Sequence, residues 1–455
     1  MLKIFKHQRE ERQLPRNYRF YPVYLQVIFR SFGNTIYGLA LPNYLIFHEH
    51  MQASLVGVIY AIFAVTYIFG PLIARPITEK IGLRNALILG AIIPVITTSF
   101  QLFFFIPIML IVCRSIEGLA LGLFWPNIQM QVSIWQSSSP TERSEGFFRV
   151  YGFSWNFGCL LGGIFGLSLV FFSQNDFLGL ILGWIALVAI IPFAFLMEHA
   201  DDNLGFDGHH AIVIVNHMGI PVMGARPWTV QPVASEPQVR LNHSNGEKQP
   251  RTTYDSTVLA CVPIGVAVVV QMVHGAIRSM FSFTYPFFLY SAGWESYWAY
   301  LIIFSQLITQ MIGINWSGHL SPRGKYQWFL IGGFTCLTIS ILTFSFPEMI
   351  VVTVLNIVLG FFNGLVYAFG AQVMLAHGKV TGSLKYVTIY EVFSGIGYGV
   401  TPLLAGFITD VNLLTNFMII AILIGAGFVA FALITWKVAQ RNFSGSSTMV
   451  PSLQK

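Results

Sequence analysis

A chain of 455 residues that is 55% hydrophobic, 15% aromatic and only 10% charged holds about half the charge of a soluble domain, where about 25% is usual. A soluble enzyme of this length is thereby excluded. The 25 Lys and Arg exceed the 19 Asp and Glu by a formal +6. Cys113, Cys159, Cys261 and Cys336 all fall inside apolar stretches, so neither a disulfide framework nor a C-x-x-C metal site is expected.

Residues 1–20 are basic and lack an apolar run ending in small residues, so they read as a cytosolic tail and not as a removable signal. Apolar runs then alternate with short polar links, each run long enough to cross about 30 Å of hydrocarbon. Twelve spans are expected, at 21–47, 52–74, 86–104, 107–134, 148–172, 177–197, 257–290, 296–317, 327–346, 349–376, 386–409 and 413–436. The first, fourth, seventh and tenth exceed a straight crossing, so tilt or kinks at Pro42, Pro126 and Pro286 must absorb the excess. The hydrophilic segment 198–255 divides the spans six and six. It separates a 21–197 bundle from a 256–437 bundle, and 438–455 forms a second tail. Within it, His209, His210 and His217 have no carboxylate or thiol at ligand spacing, and no metal site is expected there.

The fourth and fifth spans carry the most specific patterns. Arg114 and Glu117, three apart, share a helix face on which each neutralises the other. Gly118, Gly122, Gly158, Gly162 and Gly163 stand where only a small residue admits a neighbouring helix. R-x-x-E-G-x-x-x-G, from Arg114 to Gly122, resembles the fourth-helix motif of the major facilitator superfamily. Gly158, Gly162 and Gly163 resemble its fifth-helix motif G-P-x-x-G-G, with Cys159 in the proline position. Between the second and third spans, RPITEKIGLRN is similar to the family's loop signature G-x-L-A-D-R-x-G-R-R. Glu79 replaces the aspartate and Lys80 the first basic residue, Gly82 and Arg84 are retained, and Arg75 stands where the first glycine belongs. The matching loop of the second half, GHLSPRGKY, keeps Gly318, Leu320, Arg323 and Lys325 but has Pro322 near the acidic position. The resemblance implies an all-α membrane protein of twelve transmembrane helices in two pseudo-symmetric six-helix bundles, with a cytosolic gate at these loops. A shift of 244 residues, which lays Pro42 on Pro286, Leu45 on Leu289, Arg30 on His274 and Asn34 on Arg278, agrees with duplicated halves.

Apart from Arg30, Arg114 and Arg278, every Lys and Arg falls in the tails, the central loop or alternate connections. The positive-inside rule then puts both termini and the central loop in the cytosol of a cell bound by this, the plasma, membrane. The excess charge is topological, and no nucleic-acid partner is expected.

Charge inside a span is costly, so the interior polar groups are the candidate site. Arg30 and Asn34 lie four apart in the first span and His274 and Arg278 four apart in the seventh, so each pair points one way. Arg30 also allows a reading as a snorkelling residue and His274 as a structural one. Glu391, the one acid within the second half's spans, has three readings: a proton site, a partner of Arg278 or Arg30, or a structural acid. Glu117 is a coupling candidate or half of a structural ion pair. Asn127, Gln129, Asn156, Gln306, Gln310, Asn363 and Gln372 offer neutral hydrogen-bonding groups, and Trp125, Trp155, Tyr285 and Tyr367 line a cavity or pack.

No G-x-x-x-x-G-K-S/T loop, H-E-x-x-H or G-x-S-x-G occurs, so neither ATP as an energy source nor an intramembrane enzyme is expected, and no cofactor. The expected activity is secondary active transport of a small organic solute by a monomer, proton-coupled through Glu117, His274 or Glu391. An organic anion is preferred because Arg30 and Arg278 outweigh Glu391. A multidrug or lipophilic-compound efflux carrier is the alternative, and a non-transporting sensor or partner-binding protein on the same fold is the alternative of another class.

Overall fold

The computed structural model describes residues 20–138, 141–197, 262–320, 322–345, 348–381 and 385–409. The span expected at 413–436, the central loop and both tails lie outside the described residues. The chain folds as α1 (Tyr21–Asn43), α2 (Ala53–Ile81), α3 (Leu83–Phe103), α4 (Pro107–Ser138), α5 (Thr141–Ser173), α6 (Asp176–Val188), α7 (Ile190–Phe195), α8 (Ile264–Ser291), α9 (Tyr297–Ser317), α10 (Pro322–Ser345), α11 (Met349–Thr381) and α12 (Lys385–Thr409). The helices α6 and α7, one residue apart, form a single crossing. No strand occurs among the described residues, as expected where every backbone polar group must be satisfied within lipid.

Among the described residues, eight spans are long and apolar enough to cross a membrane by length and composition alone. The helices α1, α10 and α12 fall outside these eight; α1 and α12 carry polar inward faces that bury Gln26, Arg30, Ser31 and Thr35, and Glu391, Ser394 and Thr401. Hydroxyls elsewhere in the spans donate to the carbonyl one turn back, as Thr98 does to Pro94 at 2.6 Å and Thr343 to Ile339 at 2.8 Å. Of the prolines expected to bend long spans, Pro42 lies just before a π-helical turn at Tyr44–His48, closed by the Glu49 N–H on the Tyr44 carbonyl. Pro126 and Pro286 sit inside α4 and α8, which run through them unbroken.

In the first half α2 packs on α4 and α1 on α5 and α6; in the second, α9 packs on α11 and α8 on α12. The two halves repeat their contacts in detail. A methyl group on Gly118 would strike the Phe63 carbonyl and the Thr66 hydroxyl, and one on Gly360 would strike the Gln306 carbonyl and the Thr309 hydroxyl. Likewise Gly158 faces the Ile28 carbonyl and Gly397 the Met272 carbonyl. Backbone-to-backbone approach of this closeness is how membrane helices gain dispersion energy when lipid is as apolar as their side chains. The halves meet along two seams, α2 on α12 and α5 on α9. Gly57 and Gly406 oppose each other in the first, and Gly163 and Gly166 lie against Phe304 and Tyr300 in the second.

Substituting Gly118 by alanine should therefore destabilise the fold by about 1–3 kcal/mol through overpacking. Alanine at Gly38, where added atoms meet open space, should be neutral or stabilising. Thermal unfolding in detergent checks this: equal midpoints for the two variants would contradict the packing.

Candidate functional site

The helix layer has an upper end, with connections at 44–52, 104–106, 174–175 and 292–296, and a lower end, with the turn at Gly82, the end of α4, the start of α5 and the turn at 318–320. Three sets of side chains join the halves at successive depths.

At the upper end, Asp176 begins α6, where the aligned N–H groups favour an anion. Its buried carboxylate accepts from Asn43 Nδ2 at 3.4 Å and from the Tyr300 hydroxyl at 3.2 Å, and lies 3.3 Å from His48 Nε2. Asn43 Nδ2 also reaches the Ser296 carbonyl at 3.4 Å. Tyr300 and Ser296 belong to the second half, so this node spans the interface. His48 is 40% exposed against 1% for Asp176, and it forms the solvent-facing edge.

The middle set is aromatic and cationic. Trp155 of α5 stacks on Tyr367 of α11 with ring centroids 5.9 Å apart and planes 18° from parallel. The Arg278 guanidinium of α8 lies 5.1 Å from the Trp155 ring centroid, and its Nη2 is 3.5 Å from Cys159 Sγ. His274, one turn before Arg278, sits 4.7 Å from the Tyr367 ring and shares a 3.0 Å hydrogen bond between Nδ1 and Asn363 Oδ1. His274 Nε2 has no partner among the described residues.

Below them, Glu391 of α12 reaches across to the first half. It accepts from the Tyr67 hydroxyl at 2.5 Å and from Gln129 Nε2 at 2.7 Å, and Gln129 also donates to the Tyr151 hydroxyl at 3.2 Å. All these donors are neutral. Glu391 thus pairs with neither Arg278 nor Arg30 among the described residues.

The remaining candidates separate from this column. Arg114 Nη1 meets Glu117 Oε2 at 2.7 Å, Gln101 donates to the same oxygen at 3.2 Å, and the Tyr37 hydroxyl donates to Gln101 at 3.2 Å. With Arg114 lying 4.1 Å from the Phe63 ring centroid, this is a closed, neutral cluster inside the first half. Arg30 does not snorkel. It is fully buried, 5.5 Å from the Phe124 ring centroid, and none of its three side-chain nitrogens has a partner among the described residues. Buried amide nitrogens of Gln306 and Gln310 on α9 are unpartnered in the same sense. Asn34 is half-buried, and Asn156 donates back to Gly152 at 2.8 Å within its own helix. Gly122 lies against Tyr67 and Pro71, and Gly162 against Phe32 and Thr35. At the lower turn Gly82 takes φ 81°, a left-handed value suited to glycine, and Arg84 donates to the Phe195 carbonyl at 2.7 Å. Glu79 and Lys80 are exposed there, and the Arg323 side chain lies outside the described residues.

Sequence reasoning did not single out Asp176 as a site residue. The available signal was its position as the first residue of a span, next to the capping Asn175. Tyr67 had no signal, being one aromatic residue among many.

Two helical halves joined by polar nodes at opposite ends define a multi-pass carrier-type membrane protein. The family model of the Major Facilitator Superfamily matches residues 23–384, and the chain belongs to that superfamily. Among solved structures, the chain is similar to the nucleoside transporter NupG, at 12% identity over 92% of this chain and 98% of that one, with a TM-score of 0.61. It is similar also to a bacterial homologue of the human lysosomal transporter Spinster in an inward-facing, occupied conformation. That match has 12% identity over 95% and 98% of the two chains, with a TM-score of 0.59. No curated protein matches the chain. These identities carry the fold and no substrate.

Tyr67→Phe removes one of the two donors that reach Glu391 from the first half. Hydrogen bonds to a charged group are worth about 1.5–3 kcal/mol, so the variant should shift the population towards lower-end opening by tenfold or more. Spin-label distances across the lower end would report this; an unchanged distribution would show that the node holds nothing closed.

Proposed function

We propose that the chain is a secondary transporter that moves a small organic anion by alternating access and couples it to protons through Glu391. The observation that carries this reading is the separation of the interface into an upper polar node, a cationic centre at Arg278 and a lower polar node. A carrier needs closures at opposite ends that can break in turn around a midplane site. The lower end faces the cytosol in this reading, in accord with the distribution of Lys and Arg.

Arginine suits the substrate role because its planar fork binds carboxylate or phosphate through paired hydrogen bonds. Among the described residues Arg278 has the Cys159 thiol, the Trp155 ring and the Tyr398 hydroxyl beside it and no carboxylate, and Arg30 makes no hydrogen bond, lying against the Phe124 ring within the field of the Arg114–Glu117 pair. Glu391 suits the proton role because neutral donors hold it at the interface. Protonation would weaken the acceptance of both hydrogen bonds and loosen the lower node. Arg114 with Glu117 is a structural pair in this account, since its charges are already matched. The names of the structural neighbours, a nucleoside transporter and a lysosomal transporter homologue, agree with solute carriage in general terms. A lipophilic cation is the poorer substrate because it would meet Arg278 and Arg30 at like charge.

Purified protein in liposomes should take up an organic anion faster when protons flow in with it. Glu391→Gln should remove that acceleration while exchange at equal pH persists. Arg278→Gln should lower transport in both regimes by at least tenfold. Uptake by wild type that ignores the imposed pH gradient would refute proton coupling, and transport of lipophilic cations alone would refute the anion.

A further inference from the structure

The middle layer says more about the substrate than its charge. Trp155, from the first half, lies against two groups of the second half at once: the Tyr367 ring, nearly parallel at 5.9 Å and 18°, and the Arg278 guanidinium, 5.1 Å from the ring centroid. His274 continues the array, 4.7 Å from Tyr367, fixed by its bond to Asn363 and leaving Nε2 without a partner among the described residues. Separation of the halves draws Trp155 away from both. Tyr367 then loses a flat π surface, and Arg278 loses an electron-rich face over which its charge is stabilised.

We infer that Trp155 stands in for the ring of the transported molecule, and that the substrate is a planar aromatic or heteroaromatic acid, its ring on Tyr367 and its anionic group on Arg278. This rests on the anion reading above and adds the shape of the anion. The chemistry of the layer selects for flatness: a saturated ring is thicker than an aromatic one and offers no π face to Tyr367, although it satisfies Arg278 equally well. A neutral aromatic satisfies Tyr367 and offers Arg278 at most a ring face, as Trp155 does, without the charge-assisted hydrogen bonds of an anion. Only a molecule with both features replaces the ring contact and also neutralises the guanidinium. His274 Nε2 provides a further polar contact, on the Tyr367 side of the site, for a ring heteroatom or hydroxyl.

The test uses three matched probes on the purified full chain: 2-naphthoate, the saturated decahydronaphthalene-2-carboxylate, and the neutral 2-naphthamide, each titrated in a thermal-shift assay. The expected result is stabilisation by 2-naphthoate at concentrations about two- to tenfold below those needed for the saturated acid, the range that an aromatic contact provides, and none by the amide. Tyr367→Leu should abolish the difference between the two acids. Tyr367→Phe, which keeps the ring, should preserve the difference and guards against a loss that merely reflects unfolding. Equal stabilisation by the two acids would overturn the inference while leaving the anion reading intact. Stabilisation by the amide as strong as by 2-naphthoate, or by none of the three, would overturn the anion reading and this inference with it.

Discussion

A polar group carried into hydrocarbon must find its partner inside the protein or cost several kcal/mol, and the interface between the two halves is built around that constraint. Asp176 and Glu391 are buried carboxylates, and each is satisfied by donors from the opposite half as well as, for Asp176, from its own. Neither half alone can make these sites. Moving the halves apart at one end therefore exposes a carboxylate there, which is tolerable only where water or a proton can replace the lost donors. In the proposed cycle the two closures are polar because they open to water, whereas the glycine contacts inside each half stay closed and need no such chemistry.

Duplication explains why such an interface can rock. The contacts of Gly118 with Phe63 and Thr66 recur as those of Gly360 with Gln306 and Thr309, so each half contains the same rigid helix pair. The seams that join the halves, α2 on α12 and α5 on α9, are equivalents of each other under the same repeat. A motion that loosens one end of both seams and tightens the other preserves every contact within the halves. The Arg114 and Glu117 cluster belongs to the rigid part: its ion pair, Gln101 and Tyr37 are all in the first half.

Much of the fold was legible because its signals are local. Apolar runs, the Lys and Arg distribution and the glycines of α4 and α5 need no knowledge of what they pack against. The fourth-span pair was also legible, since Arg114 and Glu117 meet on one helix face at a spacing of three. Arg30 invited a snorkelling reading because its depth was judged from the sequence; its complete burial depends on Phe124, 94 positions away and on another helix. The partners of Glu391 were hidden for the same reason, Tyr67 and Gln129 lying 324 and 262 positions distant. Asp176 was not legible as a site residue because its donors Asn43 and Tyr300 come from two helices on either side of it in the chain. What sequence alone withholds is the meeting of the halves, and that is where the candidate site lies.

The central claim is that the upper and lower closures break alternately. Replacing Asn43 and Ser296 by cysteine puts a thiol on each half at the upper node, whose side-chain and backbone groups now meet at 3.4 Å. Joining the two thiols with a short bifunctional reagent and measuring solute flux in liposomes tests the claim directly. The account predicts that flux stops when the upper end is tied and returns when a reducible link is cleaved. Full flux through the tied protein would contradict it.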